Sequence, residues 1–516
     1  MHKAFWATVI FLSLFLILFS FHTINLSTAD IGRHIMNGDV FLHSAEHGVS
    51  KADILYKNFF SYTYPDFPFV NHHWLFGIAT YVIYSIFGFG GLSFIYFLCI
   101  LGALIFTLRT LREETDISGM LFAGIFLIPL LATRVEIRPE GLSFFLLAFF
   151  IFFLARYARG KVSCRHLFIL PLLVLLWANA HVFYILGIFV IGVFLADALF
   201  FRNKEQAHRL LPTFVASIAA ACITPYGIEG LLYPLTVVKN YGYRIVENQS
   251  IPFLENLSFA NPDFLWYKAA LLFFAISSMV VFIKRRSEFI YPLTAIAFIF
   301  GIMGYVTIRS IPLFAIVAIP LFAYNATVLK KLFAKPLEAE IRMILSAIFF
   351  FTLISATLFQ FSAELPWNRK FGAGTEPGGL APIEFIKTSG IHGPFFNNYD
   401  VGGLMIFGLY PTEKVFVDNR PEAYPREFFE DVYVPMQEDD EVWGNELLKN
   451  KFNAIFFYRL DYTPWAQNFL IERVKDPAWA PVYVDDVTII FLKRNEANAE
   501  IIKKYELPKE MFNIQS

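Results

Sequence analysis

The sequence predicts a polytopic α-helical membrane protein that ends in a small extracytoplasmic α/β domain. Hydrophobic residues make up 57% of the 516 residues and charged residues 16%, against roughly 25% charged in typical soluble domains. The 62 phenylalanines and a mean hydropathy of +0.54 are typical of a chain solvated largely by lipid. A net charge of -1 gives no basic excess for nucleic acid, and the three cysteines lack the spacing of a disulfide framework or a zinc site.

Apolar segments follow one another almost without interruption from His73 to Phe361. The first 20 residues begin like a signal peptide, but no small-residue cleavage site follows closely, so we expect a retained first helix. The other candidate spans are 74–89, 91–108, 118–133, 141–157, 167–179, 183–200, 209–223, 265–284, 290–306, 311–328 and 341–361. Several are shorter than the roughly 20 residues of an untilted span, which is tolerable where protein or a water-filled cavity surrounds their ends.

The loops between these segments are of two kinds. One kind is basic: 109–112, 156–165, 202–209, 284–286 and 330–335. The other kind mixes charges with aromatic residues, His, Asn and Pro: 21–72, 133–140, 177–184, 224–262 and 307–312. Because basic loops stay in the cytoplasm, this alternation predicts a cytoplasmic N-terminus, a C-terminal domain outside, and a multi-pass protein of the cell membrane.

The Arg109 loop complicates this topology. If 74–89 and 91–108 both cross the membrane, that basic loop falls outside. Either one of the two segments is re-entrant or interfacial, or the loop violates the rule. We favour about eleven crossings with one partial segment.

The composition changes after Phe361. We predict a membrane domain over 1–361 that carries a large external loop at 21–72, a Gly/Pro-rich linker over 362–380, and an α/β domain over 381–516. In that domain, helices are predicted at 382–388, 426–434, 441–450 and 465–475, and strands at 394–398, 414–418, 453–459, 480–484 and 488–494. No P-loop, GxGxxG motif or internal repeat is present.

The first external loop contains the strongest catalytic candidate, Asp30. Arg33 and His34 follow at positions i+3 and i+4, so the three share one face of a helical turn. A carboxylate beside a histidine can take a proton from a hydroxyl, which makes Asp30 and His34 catalytic candidates and Arg33 a substrate-binding one. The alternative is that Asp30 only caps the helix that follows.

Asn71, His72 and His73 stand directly before an apolar segment and suit a metal or phosphate site, or a membrane interface. Arg134, Arg138 and Glu140 lie between two apolar segments, where charges are expensive near lipid. The arginines suit a phosphate group, and a structural network of ion pairs is the alternative.

Two further polar breaks fall on the same predicted side of the membrane. Asn179 and His181 interrupt a long apolar run at positions i and i+2, which indicates a turn, and Tyr226 lies in a Pro-Tyr-Gly sequence that ends another helix. Arg309 stands alone between two apolar spans and must find an anion from protein or lipid, or reach the interface with its long side chain.

Together these features resemble the GT-C superfamily of membrane glycosyltransferases, near the protein mannosyltransferase and lipid A aminoarabinose transferase group. The matching motifs are Asp30 in the first loop, Arg138-Pro139, Trp177-Asn179-His181, the turn 224–227, and the C-terminal segment 396–424. The resemblance implies transfer of a sugar from a polyprenyl-phosphate donor to a lipid, glycan or protein acceptor on the outer face of the membrane.

The resemblance also implies residue roles. Asp30 would be the base, Arg138 and Arg309 would hold the carrier phosphate, and His72 and His73 would assist. Asp30 has no paired Asp beside it, so a bound divalent metal is not supported and no cofactor is predicted.

Two alternatives to the transferase stay open. A transporter or flippase would carry charges near the bilayer midplane and two similar halves. A non-catalytic scaffold would tolerate replacement of Asp30. In the α/β domain, Asp418-Asn419-Arg420 could recognise the acceptor or form a salt-bridged turn.

Overall fold

The structure is a computed structural model that describes residues 2–134, 136–202, 204–237, 241–259, 261–333, 339–362 and 370–512. Residues 363–369 of the predicted linker and Lys335 of the last basic loop lie outside the described residues. The chain forms two compact units. Unit 1 contains 1–23, 93–231 and 245–373, and unit 2 contains 24–92, 232–244 and 374–516.

Unit 1 is helical in its described parts. Its α-helices are His2–Ser20, the second part of Trp74–Thr110, Ile117–Leu131, Glu140–Ala158, Ile169–Ala180, Tyr184–Asp197, Lys204–Ala221, the first part of Gly227–Thr236, Ile251–Asn256, Pro262–Lys284, Tyr291–Val306, Ile311–Phe333 and Ala339–Ser362. Shorter helical turns are Cys164–His166, Ala198–Arg202, Val246–Asn248, Arg286–Glu288 and Ile308–Ser310.

Within the described residues, six helices are long and apolar enough to cross a membrane. They are His2–Ser20, Trp74–Thr110, Glu140–Ala158, Tyr184–Phe201, Pro262–Lys284 and Ile308–Phe333. Four shorter apolar helices are Ile117–Leu131, Cys164–Ala180, Tyr291–Val306 and Ser346–Phe359. The helical membrane architecture is therefore confirmed, whereas the number of eleven crossings stays a prediction.

The segments expected at 74–89 and 91–108 are two parts of one element, broken at Gly88. Gly88 has φ 62° and ψ -163°, a backbone conformation that glycine adopts far more readily than other residues. The part before the break is about 21 Å long at the usual helical rise, shorter than a bilayer core of about 30 Å. The first part is therefore the better candidate for the expected partial segment.

The core of unit 1 is built around Ile308–Phe333, where 94% of the residues in the most apolar stretch are buried. This helix packs closely on Ile117–Leu131, where a Cβ atom at Gly119 would lie 2.5 Å from the carbonyl oxygen of Ala323. At one end of the contact, Lys330 Nζ lies 2.7 Å from Asp116 Oδ2. A side chain larger than hydrogen at position 119 would push the two helices apart.

Ion pairs join loops that the charge pattern assigned to the same side of the membrane. Glu113 and Glu114, which follow Arg109, lie 2.7 Å from Lys161 and 2.8 Å from Arg159, respectively. The Arg109 loop therefore contacts the next basic loop. The expectation that one of the two preceding segments does not cross fully stays a prediction.

Unit 2 combines the first long polar segment of the chain with its C-terminal region. Its α-helices are Ile31–Leu42, Lys51–Tyr56, the first part of Trp74–Thr110, Ala381–Ser389, Gly402–Leu409, Pro435–Glu438, Asp440–Asn450, Pro464–Lys475 and Ala499–Tyr505, with helical turns at Pro421–Ala423, Phe428–Tyr433 and Lys509–Met511. The strands are β1 (Phe395–Asn397), β2 (Ala454–Tyr458), β3 (Trp479–Val484) and β4 (Thr488–Lys493).

The sheet has the order β1-β2-β4-β3. β1 is parallel to β2, whereas β4 is antiparallel to both β2 and β3. The parallel pair requires a long crossover, which the helices between residues 402 and 450 provide. One side of the sheet packs on an aromatic core that includes Phe396, Trp443 and Phe469.

The prediction of a strand at 414–418 is wrong. The structure has only an isolated β-bridge there, between Val415 and Ser61. The Asn397 side chain makes the hydrogen bonds to this segment that a neighbouring strand would otherwise make. Its Oδ1 accepts from the Phe416 N–H at 2.9 Å, and its Nδ2 donates to the Val417 carbonyl at 2.7 Å. Since the backbone groups are satisfied by a side chain, the apolar segment is buried without joining the sheet.

The helix Gly402–Leu409, which the sequence analysis did not predict, packs on Ile31–Leu42. A Cβ atom at Gly32 would lie 2.9 Å from the carbonyl oxygen of Gly403. Two glycines therefore let the backbones of these helices approach closely, which fixes the position of Asp30 and Arg33 in unit 2.

Candidate functional site

Asp30 stands at the N-terminal end of the helix Ile31–Leu42 but makes no capping hydrogen bond with its side chain. Its Oδ1 instead accepts from Nδ2 of Asn419. The Asn419 Oδ1 in turn accepts from Nε of Arg33 at 3.1 Å. The carboxylate is thus oriented by a residue of the C-terminal region, and the alternative of a simple helix cap does not hold.

Asp30 is more exposed to solvent than Arg33 and His34, which follow it in the next helical turn. Asp30 is partly exposed, whereas Arg33 is 5% and His34 is 2% exposed. Burial lowers the pKa of Arg33, with the charge of Asp30 as the first opposing influence. Arg33 and His34 can therefore orient the site, but of the three only Asp30 is open to a ligand.

The other candidates from the first loop line the same part of unit 2. His34 packs edge-to-face on His73 with ring centroids 5.2 Å apart, and the His73 ring lies 3.7 Å from that of His72. Asn71 is 3% exposed and donates to Asn37 Oδ1 at 3.1 Å and to the Ile54 carbonyl at 3.0 Å. Asn71 therefore fixes the turn that presents the two histidines.

In the Asp418-Asn419-Arg420 sequence, the two charged residues pair with each other and the asparagine contacts Asp30. Arg420 Nε and Nη2 donate to the two carboxylate oxygens of Asp418 at 2.7 and 2.6 Å, and both side chains are almost fully buried. Asp418 and Arg420 therefore form the salt-bridged turn that was the alternative to acceptor recognition. Asn419 between them is the residue that reaches Asp30.

Unit 1 gathers the other charged candidates around Glu247, a residue that the sequence analysis did not single out. Arg134 Nη1 lies 2.6 Å from Glu247 Oε1, whereas Arg138 Nη1 and Arg309 Nη2 lie 2.8 and 2.9 Å from Oε2. Burial opposes the charge of Glu247, but these three arginines hold the pKa of its carboxyl well below the usual range. The same carboxylate raises the pKa of Arg134 against the effect of burial.

Glu140 is a second carboxylate of this cluster, 4% exposed. Its Oε1 lies 3.7 Å from Arg134 Nη2 and 3.7 Å from Arg309 Nε. These distances allow attraction between charges but are too long for hydrogen bonds. The anion that the isolated Arg309 requires is thus supplied by protein.

His181 is connected to a buried polar chain beside Glu140. His181 Nδ1 lies 2.7 Å from Ser143 Oγ, which also accepts from Trp177 Nε1 at 2.8 Å. The Ser143 hydroxyl also lies 3.3 Å from the Pro139 carbonyl, to which it can donate, so Ser143 connects the tryptophan, the histidine and the backbone in one buried network. Burial lowers the pKa of His181 to about 4, so the imidazole is neutral at pH 7.

Asn179 and Tyr226 occupy structural positions. Asn179 Nδ2 donates to the carbonyls of Leu175 and Ile223, each at 2.9 Å, and so connects two helix ends. The Tyr226 N–H lies 3.3 Å from Thr224 Oγ1 in the turn before Gly227–Thr236. Asn179 therefore lies in the last turn of the helix Ile169–Ala180 and Tyr226 in the turn before the next helix, and their predicted role in substrate binding stays a prediction.

Unit 2 also contains an acidic pair that the sequence did not indicate. Asn398 Nδ2 lies 3.2 Å from Asp400 Oδ2 and 3.2 Å from Asp461 Oδ2. Burial, followed by the charges of Asp461 and Asp30, raises the pKa of Asp400 to about 8. Among the described residues, no group of three His, Cys, Asp or Glu side chains is placed to hold a metal ion.

The fold of the chain is similar to the folds of an oligosaccharyltransferase and an arabinofuranosyltransferase of known structure. The archaeal oligosaccharyltransferase AglB from Archaeoglobus fulgidus, solved with an inhibitory peptide and a dolichol-phosphate, is similar with a TM-score of 0.60 and 12% identity. The match covers 95% of this chain and 74% of AglB. The mycobacterial arabinofuranosyltransferase AftD is similar with a TM-score of 0.56 and 13% identity, over 95% of this chain and 41% of AftD.

A comparison with protein-family models finds no match to the sequence, and a comparison with curated proteins finds none either.

Proposed function

We propose that the protein is a glycosyltransferase that moves a sugar from a polyprenyl-phosphate donor to a hydroxyl of a lipid, glycan or protein acceptor. The transfer takes place on the outer face of the cell membrane, with the N-terminus in the cytoplasm. The GT-C fold supports a membrane glycosyltransferase in general. The residue roles are supported by the two clusters described above, one in each unit.

Asp30 is the residue on which this function depends most. It is a partly exposed carboxylate whose orientation is fixed by Asn419 and, through Asn419, by the buried Arg33. A general base needs both a fixed orientation and access to the acceptor, and Asp30 meets both needs. We assign His34 to orientation, because its ring is buried beside His73.

Arg134, Arg138 and Arg309 are the residues that we assign to the phosphate of the donor. Planar guanidinium groups match phosphate oxygens with paired donors, and they stabilise the negative charge that grows on a departing phosphate. All three converge within 2.9 Å of one carboxylate, which indicates that their positions suit a shared oxyanion.

The chemistry follows from these assignments. The acceptor hydroxyl gives its proton to Asp30 while its oxygen forms a bond to the anomeric carbon of the sugar. The bond from that carbon to the phosphate oxygen breaks, and the electron pair leaves with the polyprenyl phosphate. No nucleotide is required, in agreement with a sequence that contains no P-loop.

The test uses purified protein in lipid nanodiscs, supplied with a panel of radiolabelled polyprenyl-phosphate sugars with and without added divalent metal. The readout is the sugar released from the carrier. Asp30→Asn should lower release by about 10²–10⁴-fold, because it removes the base while keeping the shape of the side chain.

Asp66→Asn is the matched control, since it makes the same change at a carboxylate of the same loop that is 81% exposed and pairs with Lys57. It should leave release unchanged. Equal turnover by Asp30→Asn and wild type would refute the role of Asp30. If a folded preparation released no sugar from any donor, we would favour the scaffold or the transporter.

A further inference from the structure

Glu247 is the shared partner of three arginines of unit 1. Its two oxygens receive three guanidinium groups at 2.6, 2.8 and 2.9 Å, from Arg134, Arg138 and Arg309. Carboxylates and phosphates present oxygens with similar spacing to a guanidinium fork, so a site that holds one can hold the other. The cluster therefore has the composition of an anion site that is already filled by the protein.

The charges of the cluster balance only while Glu247 is present. Arg138 also pairs with Glu136 at 2.8 Å, and Glu140 lies 3.7 Å from the other two arginines. Three arginines thus face three glutamates. Removal of Glu247 would leave one positive charge in excess, which a phosphate group could neutralise.

The arginines and Glu247 lie on segments of different kinds. The Arg134 carbonyl accepts from the Tyr96 hydroxyl at 2.7 Å, which fixes the turn before Glu140–Ala158. Glu247 lies on a single helical turn, Val246–Asn248, inside a long polar connection. A backbone hydrogen bond joins this connection to the Arg309 segment, from the Ile308 N–H to the Gln249 carbonyl at 3.1 Å. Short surface turns of this kind open at a lower free energy than packed helices.

Arg309 has donor capacity beyond the contact with Glu247. Its Nε is buried and, within the part of the chain that the structure describes, has no hydrogen-bond acceptor. Glu140 Oε1 lies 3.7 Å from this Nε, which is too far for a hydrogen bond. A buried guanidinium N–H without an acceptor costs free energy. A tetrahedral anion with more oxygens than a carboxylate could satisfy it.

We propose that Arg134, Arg138 and Arg309 form a binding site for a phosphate mono- or diester, and that Glu247 closes this site as an internal carboxylate until a phosphate displaces it. This inference deepens the proposed function, because it rests on the assignment of the three arginines to the phosphate. It adds that binding is a competition, in which the connection around Val246–Asn248 must move away.

The experiment measures binding of two probes, inorganic phosphate and monododecyl phosphate, to the full chain in detergent. The readout is the rise of the melting temperature with probe concentration, at constant ionic strength. Glu247→Gln keeps the shape of the side chain but removes its charge, and it should bind phosphate at least 10-fold more tightly than wild type. Glu247→Gln combined with Arg309→Gln should lose this gain.

Glu255→Gln is the matched control. Glu255 lies in the same connection, is 41% exposed and pairs with Lys268 at 2.7 Å. Its replacement should leave the affinity for both probes at the wild-type value. Tighter binding of both probes by Glu247→Gln would identify a site for the phosphate group itself. Tighter binding of monododecyl phosphate alone would identify a site for a lipid phosphate.

Equal affinity of wild type and Glu247→Gln for both probes would overturn the inference, since Glu247 would then compete with nothing. Should Glu247→Gln fail to fold, it is prepared with and without phosphate. Recovery of folded protein by phosphate would support the anion site, and failure to recover would overturn it. None of these measurements depends on sugar transfer, so their outcome is independent of the Asp30 test.

Discussion

Replacement of Asp418 by asparagine should destabilise unit 2 severely. Asp418 is 0% exposed and accepts from Arg420 Nε and Nη2 at 2.7 and 2.6 Å, and from the Tyr424 hydroxyl at 3.1 Å. Arg420, 2% exposed, also donates to Asn58 Oδ1 at 2.7 Å, which connects the first polar loop to the C-terminal region. Asp418→Asn would leave the guanidinium buried without its counter-charge.

The structure sets the size of the effect. Removing one partner of a buried, hydrogen-bonded ion pair costs about 3–5 kcal/mol of folding free energy. The Arg420 guanidinium also lies over the rings of Phe69 and Phe60, at 4.9 and 5.6 Å from their centroids, so it cannot reach water without disturbing the aromatic packing. For a unit of this size, we expect the melting temperature to fall by about 6–20 °C.

In the assay, the protein is heated in detergent and the fraction that stays monodisperse is measured by size-exclusion chromatography. The midpoint is the temperature at which half of this fraction is lost. Glu430→Gln is the control, because it breaks an exposed ion pair with Arg426 in the same unit. It should lower the free energy of unfolding by no more than about 1 kcal/mol. The double variant Asp418→Leu with Arg420→Met removes both charges and should recover part of the loss. A midpoint for Asp418→Asn within 2 °C of wild type, a margin of roughly 1 kcal/mol, would refute the reasoning.

Two further predictions concern pH and the buried polar chain of unit 1. The pKa of Asp400 is about 8 in the folded protein and 3.8 ordinarily, so between these values the folded state keeps a proton that the unfolded chain has lost. Stability should therefore fall as the pH rises through this range, by at most about 1.4 kcal/mol per pH unit, and Asp400→Asn should flatten the profile of melting temperature against pH. Ser143→Ala removes the hydrogen-bond partner that Trp177 Nε1 and His181 Nδ1 share, and should lower the free energy of unfolding by about 1–3 kcal/mol, measured by thermal denaturation.

Each of these two predictions has an outcome that contradicts it. If the melting temperatures of Asp400→Asn and wild type changed with pH in parallel, the pKa of Asp400 would not be raised in the folded protein. Asp486→Asn serves as its control, because Asp486 lies in the exposed turn between β3 and β4. For the polar chain, Ser143→Thr keeps the hydroxyl. If it lost as much stability as Ser143→Ala, the lost hydrogen bonds would not be the cause.

The sequence alone determined the elements of the fold that follow from local patterns. Long apolar runs predict helices in lipid, because a chain in the bilayer must satisfy its backbone hydrogen bonds internally. β1, β2, β3 and β4 were predicted close to their positions, because short β-branched and aromatic runs between polar turns have few other stable conformations. The segment 414–418 has the same local pattern and forms no strand, because its partner is the Asn397 side chain.

Only the tertiary structure decided which polar groups meet. Asn419 reaches Asp30 from 389 residues further along the chain, and Glu247 reaches Arg138 from 109 residues away. Polar partners of this kind have no periodicity, and a carboxylate in a loop pairs with whichever cation the packing brings within a few ångströms. The candidate residues themselves could therefore be predicted from the sequence. The residues that orient them or pair with them depend on the packing of helices and loops far apart in the chain.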